Sequence, residues 1–345
     1  MTTPSVSSTA APAPVSAARR AAVELLLDNL VWLILIVVLV IFSLTIPNYA
    51  QIGIYANIVE QSTFVGTMAI GLSLIIIAGH LDLSVESTLA LAAMVVSMLF
   101  ASSGLGMGLK LTPEWLVVPV SLLIALGIGA AIGASNGYLV VKLGMNAFIA
   151  TLASYLWARG LVTAISGGRS AQGLPDALRV MATTTILQVP LYGWMAMLCF
   201  IVFAFILGKT PFGRHITLIG GNPTAAFRAG IQVDRITAIT FVLAGAIAGL
   251  AGWFLAIRTS GASANLGVGM LFQAFAAVVI GGVSLKGGVG RLSGVYAGVL
   301  LLSSINTAIN LMNIPAHYTQ IIHGALVLAA VLLDTFKTTI RQRLA

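Results

Sequence analysis

Residues 78–87, AGHLDLSVES, place His80, the carboxylates Asp82 and Glu86 and the hydroxyls Ser84 and Ser87 within one short stretch of a chain that is only 8% charged. Three kinds of chemistry suit such a set. His80 and Asp82 could act as an acid/base pair, although two residues apart they point to different sides of a helix and cooperate only where the backbone is irregular. Asp82 and Glu86 could be the coupling carboxylates of a proton- or sodium-driven carrier. The third reading is structural: Asp82 or Ser84 caps the following helix, and Glu86 lies in its first turn, where the helix dipole favours a carboxylate. Capping explains a break in the helix without requiring His80 or Glu86.

The other polar residues are sparse. Arg159 lies thirteen residues into an apolar run and needs a partner, a water-filled cavity or an interface to reach; structural pairing is expected ahead of solute contact. Asn306 and Asn310 are one helical turn apart and share a face, which suits an interhelical hydrogen bond and a polar route equally. His80, His215, His317 and His323 are widely separated, although His317 and His323 could approach one end of a span. A metal site needs three or four converging ligands, so none is expected. Gly208-Lys209-Thr210 has Phe203 where a phosphate-binding loop needs glycine, and HExxH, GxSxG and CxxC are all missing. The glycines around Lys286 and Arg291 complete no GxGxxG and read as a flexible connection. The single Cys199 lies in an apolar run and reads as a packed hydrophobe.

The elements that must position these residues are set by composition. The chain has 345 residues, 59% hydrophobic, against a usual charged fraction of about 25% in soluble domains. Its apolar runs are continuous rather than alternating, which predicts membrane-spanning helices rather than a barrel. The expected spans are 30–46, 61–79, 84–101, 115–139, 146–165, 190–208, 236–257, 269–283, 292–310 and 318–334, an all-α polytopic bundle of about ten helices. With the N-terminus inside, twelve basic residues fall on the cytoplasmic side, among them Lys142, Arg214, Arg228, Lys286 and Arg291, and only Lys110, Arg169 and Arg179 fall outside. This bias places both termini in the cytoplasm. It also accounts for the net charge of +8 without invoking nucleic acid.

The expected organisation is a cytoplasmic tail and lead-in (1–29), a transmembrane domain (30–335) and a C-terminal cytoplasmic tail (336–345). The longest cytoplasmic loop, 209–235, has helical character: Asn222 as N-cap, Pro223 at the first helical position, helix over 224–229, and Gly230 to end it. Ala225, Ala226 and Ala229 give that helix a small face able to seat in a cleft, and Arg228 can pair with an acidic rim. At an offset of 183 residues, DLSVESTLALAAMVV (82–96) aligns with NLGVGMLFQAFAAVV (265–279). The two segments enter the membrane from opposite sides, the arrangement of an inverted repeat.

Four motifs in order, AGHLDLSVES, NAFIATLASYLWARG (146–160), TPFGRHITLIGGNPTAAFRAGI (210–231) and AFAAVVIGGVSLKGGVGRLSGVYAGVL (274–300), resemble the membrane permeases of bacterial ATP-binding-cassette importers for monosaccharides of the ribose, xylose and galactose type. The resemblance runs from about residue 30 to residue 335. It implies a homodimeric, multi-pass protein of the bacterial inner membrane that has no catalytic residues and binds no cofactor, ATP being bound by cytoplasmic ATPase subunits. A periplasmic sugar-binding protein delivers the ligand. Gly221, Asn222, Ala225, Ala226, Arg228, Gly230 and Ile231 match the segment that contacts the ATPase. His80, Asp82, Ser84, Glu86, Asn146, Asn306 and Asn310 are the candidates for the route or the helix break. The family commonly carries IDLSVGS where this chain has His80 before Leu81 and Glu86 in place of glycine, a change that adds a carboxylate at the route lining or the start of the helix.

Overall fold

The computed structural model describes residues 17–315 and parts of 318–332. About half of the expected span 318–334, together with His317, His323, residues 1–16 and the C-terminal tail, lies outside the described residues.

The described chain is mostly helical. In order, the elements are α1 (Ala17–Thr45), α2 (Ile52–Ile77), α3 (Val85–Phe100), β1 (Ser103–Gly104), α4 (Val117–Val141), α5 (Ala147–Ser166), β2 (Ala171–Gln172), α6 (Asp176–Thr183), β3 (Thr185–Ile186), β4 (Val189–Pro190), α7 (Leu191–Lys209), α8 (Pro211–Gly221), α9 (Pro223–Arg228), α10 (Val233–Thr259), β5 (Gly261–Ala262), α11 (Met270–Ile280) and α12 (Leu292–Leu311). The strands are two-residue ties between loops. β2 pairs with both β1 and β5, so the chain leaving α3, α5 and α10 is stitched together at one end of the bundle.

Six helices among the described residues are long and apolar enough to cross a membrane: α2, α4 with its preceding turn, α5, α7, α10 and α12. The remaining apolar helices among the described residues are shorter. The apolar part of α1 covers only Asn29–Thr45, and α3 and α11 have 16 and 11 residues, short of the roughly 20 needed to span. The chain approaches α3 and α11 through non-helical segments, 78–84 and 260–269. Such backbone survives at membrane depth only where protein groups satisfy it. Residues 209–235 hold two helices, α8 and α9, where one was expected.

α2 and α10 form the centre. The apolar stretch of α2 is 89% buried by the rest of the chain, against 22% for α5. α10 lies against α2, α3 and α4, while α2 lies against α10, α11 and α12. Hydrocarbon offers little drive for helices to associate, so close backbone approach through small residues must supply the cohesion. α4 carries Gly129, Gly133 and Gly137 at four-residue spacing, and α10 answers with Gly245 and Gly249. A methyl group on Gly129 would sit 2.1 Å from the Gly245 carbonyl oxygen, and one on Gly133 would sit 2.2 Å from that of Phe241. Above this seam the indole Nε1 of Trp253 donates to Ser121 Oγ at 2.9 Å, joining the same two helices deep in the core.

Two neighbouring glycines of α4 test the seam. Gly127 has open space where its side chain would be, so Gly127→Ala should be neutral or stabilise by up to about 1 kcal/mol through helix propensity. Gly129→Ala should cost about 1–3 kcal/mol through forced separation. Thermal unfolding of the two purified variants in the same detergent checks the opposite signs.

Candidate functional site

The break between α2 and α3 is assembled around side chains from three other helices. α2 ends at Ile77, Gly79 takes a left-handed φ of +85°, and the chain runs irregularly to α3. Its exposed amides find fixed acceptors. Leu83 N–H donates to Thr151 Oγ1 of α5 at 3.1 Å, and Ser84 N–H donates to Asp82 Oδ1 at 2.8 Å. Ser84 stands at the N-cap position of α3 but does not cap it with its hydroxyl, which instead donates to Asp82 Oδ1, at 2.6 Å. A buried line of hydrogen bonds continues from there. Asn136 Nδ2 of α4 donates to Ser84 Oγ at 2.9 Å, and Ser154 Oγ of α5 donates to Asn136 Oδ1 at 2.5 Å. His80 is packed beside the ring of Phe241, their centroids 5.8 Å apart. It shares no bond with Asp82, whose Oδ1 is taken by Ser84, so the acid/base pair is not assembled.

Glu86 lies in the first turn of α3, as its position in the sequence suggested, but its carboxylate serves another helix. Its Oε1 pairs with Arg159 Nη2 of α5 at 2.9 Å, and its Oε2 accepts from the backbone N–H groups of Gly269 and Leu271, each at 3.0 Å. These two amides begin α11, whose N-cap residue, Gly269, has no side chain to satisfy them. Glu86 is therefore the missing cap of α11, supplied from α3, and sits where two helix N-termini meet. Both present partial positive charge to a carboxylate that is 2% exposed. Arg159 completes the cluster: its Nη1 donates to the carbonyls of Ala264 and Leu266, at 3.3 and 3.1 Å, in the non-helical approach to α11. The partner that Arg159 required is Glu86.

The two breaks come together at the residues that the 183-residue offset aligns, Glu86 and Gly269. A partly buried carboxylate, passed over in the sequence, organises the other end of α2. Glu60 Oε1 accepts from Arg258 Nε at 2.5 Å and from the Tyr192 hydroxyl at 2.6 Å.

The glycine-rich motifs meet as well. Gly79, Gly220 and the Gly287-Gly288 pair converge at the end of α2, where Gly288 N–H donates to the Ile77 carbonyl at 2.8 Å. A methyl group on Gly220 would lie 1.8 Å from that same carbonyl oxygen, and one on Gly287 would lie 2.9 Å from the Gly79 Cα. The run 281–290, read from the sequence as a flexible connection, is instead a packing element here. The Gly288 amide that a phosphate cradle would use is already bonded.

α9 follows this junction directly. Asn222 caps it, Oδ1 accepting from Ala225 N–H at 2.9 Å, Pro223 opens it, and Gly230 closes the segment at φ +82°. The small face expected of Ala225, Ala226 and Ala229 is divided. Ala226 is turned into the chain at 4% exposure and is closed to any partner, whereas Ala225, Arg228 and Ala229 are exposed, as is Phe227 at 71%. Gly221 is exposed beside the glycine junction and Ile231 is half-buried.

Three candidates lie apart from the helix break. Asn146 is the N-cap of α5, its Oδ1 accepting from Phe148 N–H at 2.9 Å. Asn306 and Asn310 are in the last turns of α12, Asn306 partly buried and Asn310 exposed. Thr151, Asn136 and Ser154, which do belong to the break and its hydrogen-bond line, carried a signal in the sequence, since each is a polar residue inside an apolar run.

A family model described as the permease component of branched-chain amino acid transport systems matches residues 54–331. The ribose import permease RbsC of Haemophilus influenzae is 34% identical over 318 residues, covering 91% of this chain and 95% of the relative. The L-arabinose ABC transporter permease AraH of Azospirillum brasilense is 33% identical over 343 residues, covering 99% and 96%. The ribose import permease of Escherichia coli K12 is 36% identical over 307 residues, covering 88% and 92%. No solved structure matches the chain.

The Glu86 cluster makes a prediction by double substitution. Glu86→Ala strands the Arg159 guanidinium and should cost about 3–5 kcal/mol, whereas replacing the pair together by Glu86→Ala with Arg159→Met should recover a large part of that loss. Unfolding of the single and double variants in detergent measures the difference, and additive losses would show that the two residues do not act as a pair.

Proposed function

The chain belongs to this permease-component family, and on that footing we propose that it is the transmembrane subunit of an ATP-binding-cassette importer for a monosaccharide. The observation that carries the solute is the end-to-end similarity to ribose and arabinose permeases at 33–36% identity. Similarity across nearly the whole of both chains is more specific than the family description, which names branched-chain amino acids. The family is one of transport proteins and not of enzymes, and its six long apolar helices make this chain a multi-pass membrane protein.

The protein lies in the bacterial inner membrane with both termini in the cytoplasm, spans it about ten times, and works as a homodimer with cytoplasmic ATPases and a periplasmic sugar-binding protein. ATP is bound by those ATPases. The sheet joining the ends of α3, α5 and α10 supports the alternation of spans in this topology, because all three helices then end on the same side of the membrane. Support for an inverted repeat comes from the helix lengths. Shifted by 183 residues, α2 falls on 235–260 against Val233–Thr259, and α3 falls on 268–283 against Met270–Ile280. The contacts swap between halves in the same sense, α10 packing on α3 and α4, and α2 on α11 and α12. The breaks before α3 and α11 are then the paired helix interruptions of a transporter.

In this arrangement the ATPase docks on the exposed side of α9, with Phe227 as an apolar anchor, Ala225 and Ala229 permitting close approach, and Arg228 meeting acidic groups. Asn222 and Gly230 fix the shape of the segment, and Gly221 joins it to the glycine junction. ATP binding moves α9, the junction passes that movement to α2 and the helix break, and transport follows from the different contacts that the partners make in the two access states.

The test is uptake in proteoliposomes containing the chain with its ATPase and binding protein. Labelled monosaccharide should accumulate only with ATP inside. Accumulation that needs no ATPase and collapses with an uncoupler would overturn the reading in favour of a carrier using Asp82 and Glu86. Phe227→Ala, on the exposed side of α9, should leave the protein folded in the membrane yet reduce ATPase capture by roughly tenfold, the scale of one interface anchor; co-purification of the ATPase reads this directly.

A further inference from the structure

Hydroxyl groups on the helices of this chain commonly satisfy themselves. Ser43, Thr67, Ser73, Thr163, Thr240 and Thr307 each donate to the carbonyl four residues back. Two that do not line the same groove. Ser135 of α4 is exposed and, among the described residues, makes no hydrogen bond through its hydroxyl. Ser154 of α5 gives its proton to Asn136, so its oxygen remains an acceptor. Asn136 is itself held through Ser84 to Asp82, which fixes the Ser154 hydroxyl in direction as well as in place.

The groove is a hollow of about 340 Å³ between α4 and α5, lined by Ala131, Ile132, Ser135, Ala153, Ser154 and Trp157. Small-molecule sites run from about 300 to 1,000 Å³, so it suits a single small solute. Trp157 is 61% exposed and offers a flat apolar ring beside the two hydroxyls. No charged side chain lines the hollow. That lining suits a neutral polyol, with an apolar ring face and hydroxyls at its rim, better than an amino acid, whose two charges need partners. It also suits a lipid tail poorly, because hydrocarbon leaves Ser135 without a hydrogen-bond partner.

We propose that this groove is where the sugar rests in transit, its ring seated on Trp157 and its hydroxyls bonded to Ser154 and Ser135. The site rests on the monosaccharide-importer reading and adds to it a place where the permease itself touches the solute. The line from Ser154 to Asp82 ties that place to the helix break before α3.

The experiment uses the complete importer in proteoliposomes with ribose and L-arabinose as probes. Trp157→Ala should lower uptake of the transported probe about tenfold, the loss of roughly one aromatic contact, and Trp157→Phe should restore most of it. In a Cys199→Ala background, Ser154→Cys should react with a charged, membrane-impermeant thiol reagent, and the transported probe should slow that reaction. Full uptake by Trp157→Ala would overturn the site, as would a Ser154→Cys protein that resists the reagent and so faces lipid. Failure of the unmodified importer to take up either probe would instead overturn the importer reading, which the wild-type arm reports separately.

Discussion

One buried carboxylate ties three helices of this bundle together. Glu86 begins one short helix, caps another that starts 183 residues later, and neutralises an arginine from a third. Removing a carboxylate from water costs several kcal/mol, and the cost is met here by an ion pair, two amide donors and two helix dipoles acting on the same few atoms. Arg159 in turn binds the carbonyls of the approach to α11. Without this cluster the carbonyls of Ala264 and Leu266 and the amides of Gly269 and Leu271 would lose these partners inside the bundle. The geometry also explains why α3 and α11 are short: each begins at the cluster rather than at a membrane surface.

Around that cluster the helices are held by closeness more than by bulk. α4 and α10 meet through glycines at four-residue spacing, with Trp253 and Ser121 bonded between them. The peripheral helices α4, α5 and α7 leave much of their surface uncovered by the rest of the described chain. Two carboxylates inside the bundle come paired with a cation, Glu86 with Arg159 and Glu60 with Arg258, whereas Asp82 Oδ2 is buried without a partner among the described residues. Electrostatics thus fixes which helix ends meet, and small residues fix how closely the helices lie.

Much of this was legible in the sequence. Continuous apolar runs located the long helices, and Asn222, Pro223 and Gly230 marked the limits of α9. The need of Arg159 for a partner followed from its depth in an apolar run. The partner did not, because Glu86 already had a sufficient local role in the first turn of its own helix, and only the fold brings the start of α11 within reach of it. The starts of α3 and α11 were legible to within one residue, as the ends of the polar interruptions 78–84 and 260–269 in the apolar pattern. Ala226 was misplaced because a six-residue helix has too few turns for its sequence to reveal which side faces inward. The glycine run 281–290 read as flexible because glycine permits both freedom and close contact, and composition does not separate the two.

The junction of Gly79, Gly220 and Gly287-Gly288 is built from main chain alone. Its contacts are carbonyl, amide and α-carbon atoms, with no side chain between them to yield or to be shortened. Alanine scanning ordinarily finds important positions by taking atoms away, and at this junction there is nothing to take away. Every substitution is an addition, so the tolerated variation is close to nil, and a survey that omits glycines would leave the connection between α8 and the end of α2 wholly unseen.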